Sequence, residues 1–310
     1  LEAKVKIYQI IKSLVDGVLM ASKIVIGNSL SNPFVKDGKM LVSKIQASEN
    51  PKKDVLRAVE AIGGFKRIID EGDKVLVKPN FNSADSPPAS TEPQFLKAIV
   101  KLLFEYGATK VVVGESSWQM LRTRKALGQT GTLAVLGDTE ADIAFFDEGN
   151  FVDVDVGGEF LKRVYVSGQA FGFDKLVYSC CMKTHFRADF SMSLKLPFGF
   201  TKKSDRIGFH LGHLKEKLVD LNLIVYPNLI LMDGRTCFIT GGPFKGDVRN
   251  PNLVLASGDR VALDVESIKV VKSFEGNNLT EDPWSYAQIQ HAVRLGLGVK
   301  NETEYLVVTD

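Results

Sequence analysis

A chain of 310 residues that is 45% hydrophobic and 25% charged, with 39 Lys plus Arg against 37 Asp plus Glu, has the composition of a globular domain and not of a disordered or collagen-like one. Its formal net charge of +2 comes with no clustered basic face, so no nucleic-acid partner is expected. The three cysteines Cys180, Cys181 and Cys237 form no even-numbered framework, which points to a reducing, cytoplasmic compartment. The most apolar candidate for a membrane span, Leu14 to Ile26, is interrupted by Asp16 and Lys23, so no span is expected.

Residues 1–30 place Val5, Ile7, Ile10, Ile11, Leu14, Val15, Val18 and Leu19 at helical spacing before Asn28-Ser29-Leu30-Ser31-Asn32-Pro33 breaks the pattern. This predicts an N-terminal amphipathic helix and linker over 1–38, with an apolar stripe that packs on the main body or mediates homo-oligomerisation through residues 1–30. From Met40 onward short β-rich runs alternate with helical stretches, which predicts an α/β domain over 39–310. The expected architecture is a mostly parallel, Rossmann-like sheet with helices on both faces. Strands are predicted at Val75–Val77, Lys110–Val113, Asp142–Phe146, Lys175–Tyr178, Leu229–Met232, Leu253–Ala256 and Tyr305–Val308. Helices are predicted over 52–69, 92–106, 207–225, 259–272 and 285–295, the second ended by Gly107 and the third by Pro227. Between Phe151 and Ser167, alternating residues around Gly157-Gly158 predict an antiparallel hairpin that separates two α/β halves.

Ligands of open α/β sheets bind beyond the carboxyl ends of the strands. The polar residues that follow strand patterns are therefore the candidates. Lys78-Pro79-Asn80 follows the first such run, and Pro79 forces Lys78 out of helical geometry. Gly114-Glu115-Ser116-Ser117 follows the second. After Leu176-Val177-Tyr178 comes Lys183-Thr184-His185, a cation, a hydroxyl and an imidazole within three residues. That cluster supplies an anion clamp and an acid/base group together, against the plainer alternative of a solvated loop with an incidental histidine. Adjacent Cys180 and Cys181 cannot both face one site from a strand, so one is expected in the core.

His210 and His213 lie i, i+3 on the predicted 207–225 helix, beside an apolar face of Ile207, Leu211, Leu214, Leu218 and Leu221. With Asp233 they form a candidate divalent-metal set, although no His-Glu-x-x-His or Cys-x-x-Cys pattern supports it, against the plainer alternative of a charged outer helix face. Gly241 to Gly246 has Walker-like glycine spacing but continues Asp247-Val248. Gly242 and Gly246 either cradle an oxyanion or make a tight turn. Asp259 is a candidate N-cap, and Asp264, four residues after Arg260, a candidate ion-pair partner.

Taken in order, these motifs resemble the family catalogued as domain of unknown function 362. The stretches that carry the resemblance are Val75 to Asn80, Thr91-Glu92-Pro93, Gly114 to Ser117, Lys183-Thr184-His185 and Ser193-Leu194-Lys195. They continue with Asp220-Leu221-Asn222, Asp233-Gly234, Gly241-Gly242-Pro243 with Gly246, and Asp259 with Asp264, covering roughly Met40 to Ser273. Where the family has Leu-Lys-Asn followed by a glycine, this chain has Leu194-Lys195-Leu196-Pro197-Phe198-Gly199, so Leu196 replaces an amide. The ferredoxin-type cysteine run of some members is absent, and no iron-sulfur cluster is expected. At the level of architecture the family is similar to the nickel-dependent lactate racemases, a resemblance that implies a lysine- and histidine-rich cleft in a two-lobed α/β protein.

Together these features predict an enzyme acting on a small anionic substrate, a carboxylate or phosphate, in a Lys/His-rich cleft at the strand ends. Lys78 and Lys183 would hold the anion, with hydrogen bonds from Asn80, Thr184 and the Gly242 and Gly246 loop. His185 or His210 would move a proton, with Glu115 or Asp233 orienting the base. Lys195 would act in the same cleft, since a desolvated lysine can itself be the base. The alternative is a non-catalytic protein that uses the cleft to hold a metal or metallocofactor.

Overall fold

The computed structural model describes residues 24–27 and 32–310. The helix expected over 1–30 and its role in oligomerisation lie outside the described residues, apart from Ile24 to Gly27. There Ile26–Gly27 pair in parallel with Val225–Tyr226.

Eight strands make up the path of the eleven-stranded central sheet, which three two-residue strands extend: β1 (Lys39–Gln46), β2 (Lys74–Lys78), β3 (Lys110–Glu115), β4 (Asp142–Phe145), β7 (Lys175–His185), β8 (Leu229–Phe238), β9 (Leu253–Ser257) and β10 (Tyr305–Thr309). Between β4 and β7 the chain makes the expected hairpin, β5 (Phe151–Asp155) with β6 (Arg163–Ser167), as a separate two-stranded sheet. The sheet order is β10-β1-β9-β8-β7-β2-β3-β4. All neighbours are parallel except at β9, which runs antiparallel to both β1 and β8. The stretches on either side of the hairpin are not separate halves, because β7 pairs with β2 from Val75↔Lys175 to Lys78↔Tyr178 and joins them in one sheet. Nor do residues 32–38 act as a free linker. Phe34 is buried, and Val35–Lys36 pair with Met40 and Lys39 around a turn at Asp37-Gly38.

Helices cover both faces, as a doubly wound sheet requires. On one face α1 (Pro51–Glu60) and α2 (Pro93–Glu105) pack their apolar sides on Val75, Val77, Val111, Val113, Leu229 and Leu231. The chain then adds two short helices, α3 (Thr123–Gln129) and α4 (Thr132–Leu136), which the periodicity did not announce. On the opposite face the alternate residues Leu76, Val112, Leu176, Ile230 and Met232 meet α6 (Leu214–Asp220), α7 (Arg260–Lys272) and α8 (Ala287–Arg294). The side chain of Asn50 caps α1, Glu92 caps α2 and Asp259 caps α7, each accepting from backbone N–H groups of the first turn.

The helix expected over 207–225 is interrupted. Only α5 (Arg206–Phe209) and α6 are helical, because Gly212 (φ 92°) and His213 (φ 52°) take left-handed backbone that ends one helix before the next begins. Ile207 and Leu211, expected on a buried stripe, are 60% and 79% exposed. Strands β7 and β8 run well past their apolar cores, carrying Lys183-Thr184-His185 and Asp233 inside the ladder. Their register shifts between Asp233 and Cys237, so Gly234 to Thr236 bulge out at the end of the sheet.

Candidate functional site

Two neighbouring chambers lie at the carboxyl ends of β2, β3 and β7. Lys78, Asn80, Asn82, Glu115, Ser116, Ser191, Lys195, Leu196, Phe198, Gly199, Arg206 and Pro243 line the inner one, about 30 Å³ in volume. That is room for about two waters or one compact polar group. The outer chamber, about 220 Å³, shares Asn82, Lys195, Phe198, Arg206 and Pro243 with the inner one and adds His185, His210 and a largely apolar wall.

The inner chamber carries an excess of positive charge. Lys78 Nζ donates to Glu115 Oε1 at 2.7 Å and to the carbonyl of Pro79 at 2.8 Å. Glu115 is already satisfied, since Phe81 N–H donates to Oε2 at 2.9 Å and Ser116 N–H to Oε1 at 2.6 Å. Its role is to position Lys78. Burial pulls the Lys78 pKa down, against the Glu115 charge that raises it. A Cβ on Gly199 would come within 2.4 Å of Glu115 Oε1 and 2.5 Å of Lys78 Nζ, so only glycine lets this backbone pass over the ion pair.

Arg206 is a buried cation without a carboxylate partner among the described residues. Its guanidinium donates to the carbonyls of Ser117 (2.7 Å), Ser116 (3.2 Å) and Thr201 (3.0 Å) and to Thr201 Oγ1 (3.3 Å). Burial pushes its pKa down to about 10, so it stays charged at neutral pH. Sequence reasoning missed this residue, because an arginine at the start of an amphipathic stretch looks like a solvated surface group.

Lys195 stands between the chambers on the shared wall. Half-buried, its ammonium sits 5.3 Å from the centre of the Phe198 ring. Burial, reinforced by the charges of Lys183 and Arg206, pushes its pKa down to about 7. The segment that carries it is held from behind. Asp264 accepts from Ser193 N–H and Leu194 N–H, both at 2.9 Å, and Asn222 Nδ2 donates to the Leu194 carbonyl at 2.9 Å. The expected Arg260–Asp264 ion pair does not form; Arg260 instead donates to Asn222 Oδ1 and the Val225 carbonyl. Burial raises the Asp264 pKa to about 6. Several residues that carry the family resemblance therefore serve to fix Lys195.

His185 Nδ1 accepts from the N–H groups of Arg187 and Ala188, both at 3.1 Å. That leaves the proton on Nε2, and burial together with Lys195 and Lys183 pushes the pKa down to about 2. His185 is thus a neutral hydrogen-bond donor, where the sequence suggested an acid/base group. His210, in the outer wall, has a buried Nδ1 without a hydrogen-bond partner among the described residues. Burial and the nearby Arg187 and Lys195 charges lower its pKa, so the ring is neutral at pH 7.

Other expected site residues lie behind or away from the cavity. Lys183 lines neither chamber; its ammonium is caged by the carbonyls of Ala89 and Pro243 and by Asn80 Oδ1, holding two loops together. Thr184 is buried behind the wall, its carbonyl against Gly242, where a Cβ would come within 1.9 Å. Gly242 N–H is used by the Lys245 carbonyl at 2.7 Å, and a Cβ on Gly246 would come within 2.0 Å of the Thr240 carbonyl. Both glycines therefore permit the close backbone approaches of a tight turn, and the Gly242 N–H is spent within it. Cys180 and Cys181 are both buried.

The expected metal set is not assembled. His213 packs on Phe160 at 4.6 Å between ring centres, and Asp233 is taken by Arg235, whose Nη2 also reaches Glu92 at 3.0 Å. Among the described residues no three His, Cys, Asp or Glu side chains come together as metal ligands. No described helix is long and apolar enough to cross a membrane.

Sheet and cavity together define a doubly wound α/β protein with a cationic cleft at its parallel strand ends. The chain belongs to the family described as Domain of unknown function (DUF362), which matches residues 75–269. It is 25% identical over 239 residues, 74% of this chain and 73% of the relative, to "Thylakoid-associated protein sll1697" of Synechocystis sp.. A solved structure of the lactate racemase apoprotein from Thermoanaerobacterium thermosaccharolyticum matches with a TM-score of 0.39 and 15% identity. The match covers 81% of this chain but spans only 62% of that one.

Proposed function

We propose that this protein is an enzyme acting on a small anionic substrate, a carboxylate or phosphate, with Lys195 as the group that transfers a proton. The observation that carries this reading is a lysine with a pKa pushed to about 7 in a wall it shares with Lys78 and Arg206. Near pH 7 such a lysine is about half free amine, the condition under which one group can both take and return a proton. The anionic head would sit in the inner chamber against Lys78 and Arg206, with Asn80 and Asn82 supplying hydrogen bonds. His185 Nε2–H would add a neutral donor from the outer side. These parts suit removal of a proton from the carbon next to the anionic head, followed by its return, as in an isomerisation.

The test has two stages. Small carboxylates and phosphates are screened for thermal stabilisation of the protein, which at 100 times Kd amounts to about 2.7 kcal/mol. Compounds that bind are then incubated with the protein in D2O. The reading expects deuterium to enter next to the anionic head with wild-type protein and not with Lys195→Met. Binding of no anion, or exchange undiminished in Lys195→Met, contradicts it.

A further inference from the structure

We infer that the substrate carries, attached to its anionic head, a flat unsaturated or aromatic body about one ring in size that occupies the outer chamber. This rests on the function proposed above and narrows its substrate class. Asn82, Lys195, Phe198, Arg206 and Pro243 line both chambers, so the outer chamber is the neighbouring space for the remainder of a molecule whose head meets Lys78. What it meets there is largely apolar, Trp118, Phe186, Phe198, Leu214, Leu218 and Phe244, with Gln119, His185, Arg187 and His210 completing the wall.

Size and shape favour a ring. An apolar cavity of 150 Å³ takes up benzene, and the outer chamber measures about 220 Å³, enough for one ring and a short link to the head. Its walls present aromatic faces and edges. Trp118 and Phe244 meet at 6.2 Å and 60°, and His185 and Phe186 stack at 5.3 Å and 5°. A flat guest adds to such an arrangement by stacking or edge contact. Trp118 and Phe186 are 40% and 69% exposed at the mouth, an apolar rim that a substrate body would cover.

Calorimetric titration of two matched pairs tests this: pyruvate against phenylpyruvate, and methyl phosphate against phenyl phosphate. In at least one pair the phenyl compound should bind at least tenfold more tightly. Trp118→Ala and Phe244→Ala, each tested separately because one of them could disturb folding, should cut that gain to about threefold or less while leaving the methyl compound's Kd within twofold. Equal affinity within both pairs overturns the inference, as does a phenyl preference that survives both substitutions. If in addition Lys195→Met weakens all bound compounds alike, the anion-binding reading stands while the ring-bearing body falls. If no compound in either series binds, both fall.

Discussion

Replacing Lys195 by methionine should make the ligand-free protein more stable, by an amount that depends on pH. The lysine pKa falls from 10.5 to about 7 on folding, which means that the folded state resists the charged form. Below pH 7 both states are protonated and the full cost applies. Between pH 7 and 10.5 the folded state is neutral while the unfolded chain is still charged, so the cost shrinks as pH rises and vanishes near 10.5. At 1.36 kcal/mol per unit the upper bound is about 5 kcal/mol, and solvent reaching this half-buried group reduces it to roughly half. Methionine keeps the unbranched stem and its packing. The expected gain is therefore about 2 kcal/mol at pH 6 and about 1 kcal/mol at pH 9. Urea unfolding of both proteins at the two pH values, in buffers free of phosphate and carboxylate, measures it. A variant less stable than wild type at pH 6, or a gain that does not fall with pH, would refute the reasoning.

Glu115→Gln leaves the buried Lys78 ammonium without its counter-charge and should cost about 3–5 kcal/mol, read from urea unfolding. Gly199→Ala drives a methyl group into the same ion pair; a loss of about 1–3 kcal/mol is expected, with weakened anion binding by calorimetry. Asp264→Ala strips the acceptor from two buried N–H groups at about 1–3 kcal/mol each. Asp264→Asn, which keeps one acceptor, should recover roughly half of that stability while still shifting the Lys195 titration, a change that lost stability alone does not produce. The Nδ1 of His185 should remain unprotonated from pH 8 down to pH 4 in 15N spectra of the imidazole, since its pKa lies at about 2; titration near 6.5 would remove it as a neutral donor.

Much of the sheet was legible in the sequence, because its strands are buried on both faces and appear as unbroken apolar runs such as Val75-Leu76-Val77 and Val111-Val112-Val113. The ends of β7 and β8 were not, since polar residues within a ladder look like the loop that would follow it. Lys78, Asn80 and Glu115 were found by their position after strand runs and Lys195 through the family resemblance, and the structure brings all four to one cavity wall. Lys183 stood in the sharpest motif yet faces carbonyls and not the cavity. A buried lysine that bridges loops and one that binds a ligand have the same sequence signature. The His210–His213 pairing failed because apolar spacing carried across Gly212 hid a left-handed break. Trp118 and Phe244 adjoin strand-end stretches that were singled out for their polar residues and glycines, whereas nothing local to Arg206 marks its destination in the cavity.

Direct titration of the Lys195 amine tests the central claim without any knowledge of the substrate. In protein labelled with 13C and 15N at lysine, the resonance absent from the Lys195→Arg spectrum should titrate with a midpoint near 7 and shift upward when an anion fills the inner chamber. A midpoint above 10, the value of a solvated lysine, would contradict Lys195 as a proton-transferring group at neutral pH.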